Sequence, residues 1–113
     1  IFYLPTAANQ PRLRIRVLET PDPSERRETT ITTFPCTVGR GEATLRIAGD
    51  ASISRLHAEF QLQGGGLTVT DLGSGNGVFL SGSQLPPHQP MRISGAANVR
   101  IGLFTTVEVE LKG

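Results

Sequence analysis

Hydrophobic and polar positions alternate along this chain with a period of two. In "RLRIRVL" at 12–18, Leu13, Ile15 and Val17 share one face while Arg12, Arg14 and Arg16 share the other, the pattern of a half-buried antiparallel strand. Short strand-like runs follow at 29–34, 36–39, 44–48, 57–63, 66–72, 77–82, 90–94, 98–102 and 105–112, and no ten-residue stretch carries helical periodicity. Their spacing predicts ten or eleven short strands in an all-β sandwich. "GGG" at 64–66 lies between two alternating runs, where glycine supplies the positive φ of a hairpin turn. "ETPDPSERRE" at 19–28 is polar and carries two prolines, so it reads as a long flexible loop between the first two strands.

Composition narrows the class. A chain of 113 residues suits one domain spanning 1–113, with a single modest core. Because it starts at Ile1 and stops just past a strand-like run, it reads as a domain of a longer protein. Eleven Lys and Arg against ten Asp and Glu leave a net charge of +1, which offers no overall attraction to nucleic acid or to an anionic membrane. Any anion site must therefore be local. All the basic residues except Lys112 are arginines, which favours planar, bidentate contacts, although a compositional bias accounts for it equally well. The arginine face of 12–18 is read as solvated. Cys36 is the single cysteine, which excludes an internal disulfide and a cysteine zinc site and suits a reducing compartment. No run reaches the roughly 18 apolar residues of a membrane span. An intracellular protein is expected, nuclear in preference to cytoplasmic.

Three polar, glycine-marked spots fall at strand ends: "VGRGE" at 38–42, "SISRLH" at 52–57 and "DLGSGNGVF" at 71–79. Loops at one end of a sandwich converge, so the three suggest one composite site. Each is ambiguous alone. Arg40 either projects as an anion donor from a rigid turn at Gly39 or pairs with Glu42 or Asp50. Asn76, between two glycines, is either a ligand contact or a turn residue. "GSGNG" lacks the Lys-Ser/Thr of a nucleotide loop and leads into a strand. Ser54 and His57 invite a nucleophile-and-base reading with Asp71 as third member, but residues three apart entering a strand point to opposite faces unless a turn intervenes. His57 and His88 have no carboxylate cluster beside them. No enzyme, metal or cofactor is expected.

Gly39-Arg40, then Ser54-Arg55-Leu56-His57 fourteen residues after Arg40, then Asp71-Leu-Gly-Ser-Gly-Asn76-Gly77 opening a strand, resemble in order and spacing the forkhead-associated (FHA) domain. The likeness covers a motif core of 34–111, and residues 1–33 would supply the first two strands. It implies an eleven-stranded antiparallel β-sandwich whose loops bind a phosphothreonine in an extended peptide of a kinase-phosphorylated partner, with no direct nucleic acid or membrane contact and a monomeric isolated domain. By the same resemblance Arg40 and Ser54 hold the phosphate with Arg55 or its backbone beside them. Asn76 bonds the peptide main chain, the backbone of Gly75 closes the site, and Gly39, His57 and Gly77 shape the loops. The chemistry is consistent: a phosphate with about −1.5 to −2 charge and three acceptor oxygens is met by a guanidinium, a hydroxyl and N–H donors.

Gly75 stands where many members carry Thr or Ser, which leaves selectivity for threonine over serine open. Val78 and Ser81 depart from the frequent Thr and Asn, and "SGAAN" at 94–98 lacks the common Gly-Asp. "FYLPTAA", "DASISRLHA" and "IGLFTTVEVEL" are similar to the nibrin-like branch of the family, which implies DNA-damage signalling. The alternative function is a phosphate-independent interaction or dimerisation sandwich, for which exposed apolar residues on "HAEFQLQ" or "VEVEL" would speak.

Overall fold

A computed structural model describes residues 11–113. Eleven strands are present: β1 (Arg12–Glu19), β2 (Glu28–Ile31), β3 (Cys36–Gly39), β4 (Leu45–Arg46), β5 (Ala58–Gln63), β6 (Gly66–Asp71), β7 (Val78–Leu80), β8 (Ser83–Gln84), β9 (Met91–Ile93), β10 (Ala97–Ile101) and β11 (Thr105–Lys112). They form a six-stranded sheet in the order β2-β1-β11-β10-β7-β8 and a five-stranded sheet in the order β4-β3-β5-β6-β9. The expected sandwich is there, with one exception to its antiparallel pairing: β3 and β4 run parallel. The strand without an apolar signal is β8, two exposed residues hydrogen-bonded to β7.

The alternation of β1 does what its pattern requires. Leu13, Ile15 and Val17 are buried between the sheets, together with Phe60, Ile47, Ile53, Leu67, Val99, Ile101, Val107 and Val109. Each such side chain contributes roughly 1.5–3 kcal/mol relative to exposure. The outward arginines are partnered within the sheet: Arg14 Nη2 donates to Glu110 Oε1 at 2.9 Å and Arg16 Nη2 to Glu108 Oε1 at 2.9 Å. Exposed pairs of this kind contribute about 0–1 kcal/mol, but they neutralise the stripe.

The polar segment 19–28 is not the free loop its composition suggests. β1 runs to Glu19, and Asp22 caps a 3-10 turn at Pro23–Glu25 by accepting from the Ser24 N–H. Glu25 then reaches across to the chain after β4, its two carboxylate oxygens accepting from the N–H groups of Ala48 and Gly49 at 2.9 Å each. A carboxylate satisfying two adjacent backbone donors is a strong brace, because both bonds are charge-assisted. The opening "FYLPTAA" lies outside the described residues. No helix among the described residues is long and apolar enough to cross a membrane.

Antiparallel registers place one set of strand ends together. Val38 lies opposite Ala58 and Ala58 opposite Asp71 in one sheet, and Ile101 lies opposite Val78 and Thr105 in the other. The connections 40–44, 47–57, 72–77 and 102–104 therefore emerge at one end of the sandwich.

Candidate functional site

The three glycine-marked spots meet at that end, and hydrogen bonds between them define the site. The Arg40 N–H donates to the Ser54 carbonyl at 3.0 Å, and the Gly41 N–H to the Arg55 carbonyl at 3.1 Å. The Arg40 side chain donates through Nε to the Ile53 carbonyl at 2.9 Å. That bond fixes the guanidinium by one edge and leaves its Nη groups to face solvent. Arg40 makes no ion pair with Glu42 or Asp50 among the described residues. The closeness of the two loops explains Gly39: a Cβ there would stand 2.1 Å from the Arg55 carbonyl oxygen, a contact no side chain can make. Arg55 itself is exposed, and its stem lies over Gly41.

Ser54 links the second spot to the third, since its Oγ accepts from the Gly75 N–H at 3.2 Å. An oxygen engaged as acceptor keeps its own proton for donation. Asn76 donates through Nδ2 to the Ser52 carbonyl at 2.9 Å, which holds the exposed amide across the gap and leaves its oxygen as an acceptor. Within the third spot, Asp71 Oδ1 accepts from the N–H groups of Gly73 at 3.0 Å and Ser74 at 2.8 Å, and Ser74 Oγ accepts from the Gly77 N–H at 3.0 Å. The Asp71-to-Ser74 spacing thus builds the loop and does not orient an imidazole.

His57 is fully buried at this junction. Its Nδ1 accepts from the Ser54 N–H at 2.9 Å and its Nε2 lies 2.7 Å from the Gly77 carbonyl. A backbone N–H can only donate and a carbonyl can only accept, so the partners assign the neutral tautomer with the proton on Nε2. A turn at Arg55-Leu56 does bring residues 54 and 57 together, but through the Ser54 backbone. Both ring nitrogens are committed, the Ser54 hydroxyl is bonded elsewhere, and the nucleophile-and-base arrangement is absent. His57 is a tie between the two sheets.

One set of residues escaped the sequence reading. Asp50 is fully buried, its Oδ1 accepting from the Ser52 N–H at 2.9 Å and the Ser52 hydroxyl at 2.6 Å, its Oδ2 from the Thr105 hydroxyl at 2.7 Å. Thr105 has a single proton, already given to Asp50, so the Thr20 hydroxyl 3.1 Å away donates to Thr105. Burial pushes the Asp50 carboxyl up, but the hydrogen bonds from the Ser52 and Thr105 hydroxyls and the Ser52 N–H outweigh it and hold the group below its ordinary 3.8. Ser52 Oγ also accepts from the Leu103 N–H at 2.9 Å, which fastens the 102–104 turn to the site. Leu56, Leu103 and Phe104 are the large apolar side chains left exposed among the described residues, and all three sit on these connections. The short Asp-x-Ser spacing of residues 50–52 was the available signal, since that pair commonly closes a turn on itself.

On the strands proposed for a phosphate-independent interface, Phe60, Val107 and Val109 are buried, and Leu62 and Leu111 pack against the core. The apolar face that reading needs is not on "HAEFQLQ" or "VEVEL".

The FHA domain family model matches residues 36–102. Among curated proteins the chain is similar to the oxoglutarate dehydrogenase inhibitor of Corynebacterium diphtheriae, 35% identical over 74 residues, which takes in 66% of this chain and 50% of that protein. It is also similar to the glycogen accumulation regulator GarA of Mycolicibacterium smegmatis, 38% identical over 58 residues, 51% of this chain and 35% of that protein. The matched segment thus spans half or less of these relatives' length. Among solved structures, the FHA domain of an Arabidopsis thaliana hypothetical protein superposes with a TM-score of 0.77 at 24% identity, over 99% of this chain and 95% of its own. A domain solved for phosphothreonine-dependent FHA interactions gives a TM-score of 0.68 at 21% identity, over 90% and 96%. The expected likeness to nibrin has no support in these relatives, nor do the DNA-damage and nuclear expectations attached to it. The short apolar matches on which it rested are what any β-rich chain of this family offers.

Proposed function

The chain belongs to the FHA family, and from that premise we propose that it is a phosphothreonine-peptide-binding module that recruits a kinase-phosphorylated partner. In this reading it is an interaction module and not an enzyme, and residues 1–113 act as one such domain. Arg40 and Ser54 take the phosphate, through the Nη groups left free when Nε bonds Ile53 and through the hydroxyl proton left free when Ser54 Oγ accepts from Gly75. Arg55 adds charge at the rim, the Gly75 backbone borders the phosphate, and Asn76 reads the peptide main chain with its unused carbonyl oxygen. Gly39, His57 and Gly77 hold the loops in place.

The single observation that carries the proposal is the convergence of Arg40, Ser54 and Asn76, thirty-six residues apart end to end, through direct hydrogen bonds between their loops. A multiply charged ligand gains most where the donors are fixed before it arrives, because little side-chain entropy is then lost on binding. One phosphate and a short exposed peptide give a micromolar affinity, about −7 to −9 kcal/mol. The relatives named as an inhibitor and a regulator favour a regulatory adaptor over a DNA-damage role. Titration with a randomised phosphothreonine peptide library tests the reading. Enrichment over the unphosphorylated library is expected, and equal retention of both would overturn it. A parallel phosphoserine library gauges the effect of glycine at 75: threonine is expected to win by less than tenfold, about 1.4 kcal/mol.

A further inference from the structure

The outer face of the six-stranded sheet is divided electrostatically. On β1 and β11 every cation has a carboxylate: Arg14 with Glu110, Arg16 with Glu108, and Lys112 Nζ with Glu110 Oε1 at 3.2 Å. One strand further on, the pairing stops. Arg100 on β10 stands opposite Thr106 of β11 and Phe79 of β7, and it makes no ion pair among the described residues. Its guanidinium carbon lies 4.0 Å from the centroid of the Phe79 ring. Its Nε is sealed from water and has no hydrogen-bond partner. The ring face offsets part of the lost hydration of that N–H, as a cation over an aromatic face does.

Around this stacked pair opens a groove of about 380 Å³, lined by Phe79, Ser81, Gly82, Asn98, Arg100 and Thr106. Its floor is an aromatic ring, its charged wall is one guanidinium, and Ser81, Asn98 and Thr106 add neutral hydroxyl and amide groups. The positive charge amounts to a single unit. Glu108 lies opposite Asn98 in the strand register and so brings a negative group to the groove's edge. A phosphate dianion is disfavoured by that neighbour, whereas a carboxylate matches one guanidinium in both charge and fork geometry. The ring and the glycine give the methylenes of a glutamate an apolar surface on which to lie.

We propose that the Phe79–Arg100 groove is a second binding site of this domain, and that it takes a glutamate side chain from an acidic segment of a partner protein without any phosphorylation. The site lies on strands and not on the loops of the phosphothreonine site, so the two are independent. The test is an NMR titration of the whole chain, following backbone amides and arginine Nε–H signals. The sealed Arg100 Nε–H exchanges slowly with water and is therefore visible. The probe is acetylated, amidated hexaglutamate at physiological salt, with hexaserine as control. The expected result is a saturable shift of Arg100 Nε–H and of the Phe79, Asn98 and Thr106 amides, with the Arg40, Ser54 and Gly75 amides unmoved and no response to hexaserine. R100Q should lower the affinity at least about tenfold, and R100K, which keeps the charge without the fork, by an intermediate factor. Absence of any shift, shifts centred on Arg40 and Ser54, or tighter binding of inorganic phosphate than of hexaglutamate at Arg100 would each overturn the assignment. Undiminished affinity in whichever of the two variants retains a folded spectrum would do the same.

Discussion

The two ends of the sandwich are built by different means. At the ligand-facing end, buried or half-buried side chains reach into the loops: Asp50 to Ser52 and Thr105, His57 to Ser54 and Gly77, Asp71 to Gly73 and Ser74, and Glu25 to Ala48 and Gly49. At the opposite end the turns close on backbone conformation. Gly64 and Gly65 take φ of 58° and 80° between β5 and β6, and Gly95 takes 62° between β9 and β10. Glycine itself does different work at the two ends. A Cβ on Gly65 or Gly95 would meet nothing within 4 Å, whereas one on Gly39 would strike the Arg55 carbonyl and one on Gly102 the Ser52 hydroxyl at 2.8 Å. Turns that only return the chain need a dihedral angle. Loops that hold a ligand need fixed positions, and here those come from neutral or acidic side chains inside the protein.

Substitutions at both ends put this difference to the test. Gly39→Val should do the most damage, forcing the Arg40 and Arg55 loops apart at a cost of about 3 kcal/mol in stability. Thermal unfolding should fall by more than ten degrees, and phosphopeptide binding by calorimetry should be lost. A variant that retains both would mean the loops are not interlocked. Asp50→Ala comes next. It leaves the Ser52 and Thr105 hydroxyls without their acceptor in a buried place and should cost about 2–3 kcal/mol in denaturant titrations.

The same carboxylate sets a pH dependence. Its folded pKa is below the ordinary 3.8, so its contribution is fully present above that value and is lost as pH falls through the lower folded value. Chemical denaturation between pH 5 and 2 should therefore show a stability loss that is smaller in Asp50→Ala. Equal acid sensitivity of the two proteins would remove Asp50 as the cause.

Arg40→Ala should separate binding from folding. Affinity for a phosphothreonine peptide should drop by about 2 kcal/mol with the unfolding midpoint unchanged, because only the exposed guanidinium edge is removed. The smallest effect is expected at the far end. Gly65→Ala should cost about 1 kcal/mol from its positive φ alone and leave peptide affinity within error.

How much of this could be read in the sequence follows the same division. The strands were legible because alternation is a local property, and β1, β5 and β11 bury the residues it marks. Arg40, Ser54 and Asn76 were legible as a set because glycines and polar residues interrupt that alternation at three places. What stayed hidden depends on distance along the chain. Thr20 meets Thr105 across 85 residues, and neither residue differs in pattern from an ordinary strand edge. The segment 19–28 was misread for the same reason: its composition is that of a loose loop, and only the distant N–H groups of Ala48 and Gly49 give Glu25 something to hold. β8 lacked any apolar residue to announce it, and the parallel pairing of β4 with β3 has no counterpart in periodicity.

The interior of β3 has a practical consequence for studying either site. Cys36 is the single cysteine of the chain, has no exposed surface, and its thiol is pushed up to about 11 by burial. At neutral pH it is almost wholly protonated, and the thiolate is the form that alkylating dyes attack. The native protein is thus chemically silent towards maleimides, and a cysteine placed on the rim of either groove would be its one labelled position. Fluorescence anisotropy at Arg55→Cys or at Ser81→Cys could then watch the two sites separately in the same otherwise unaltered domain.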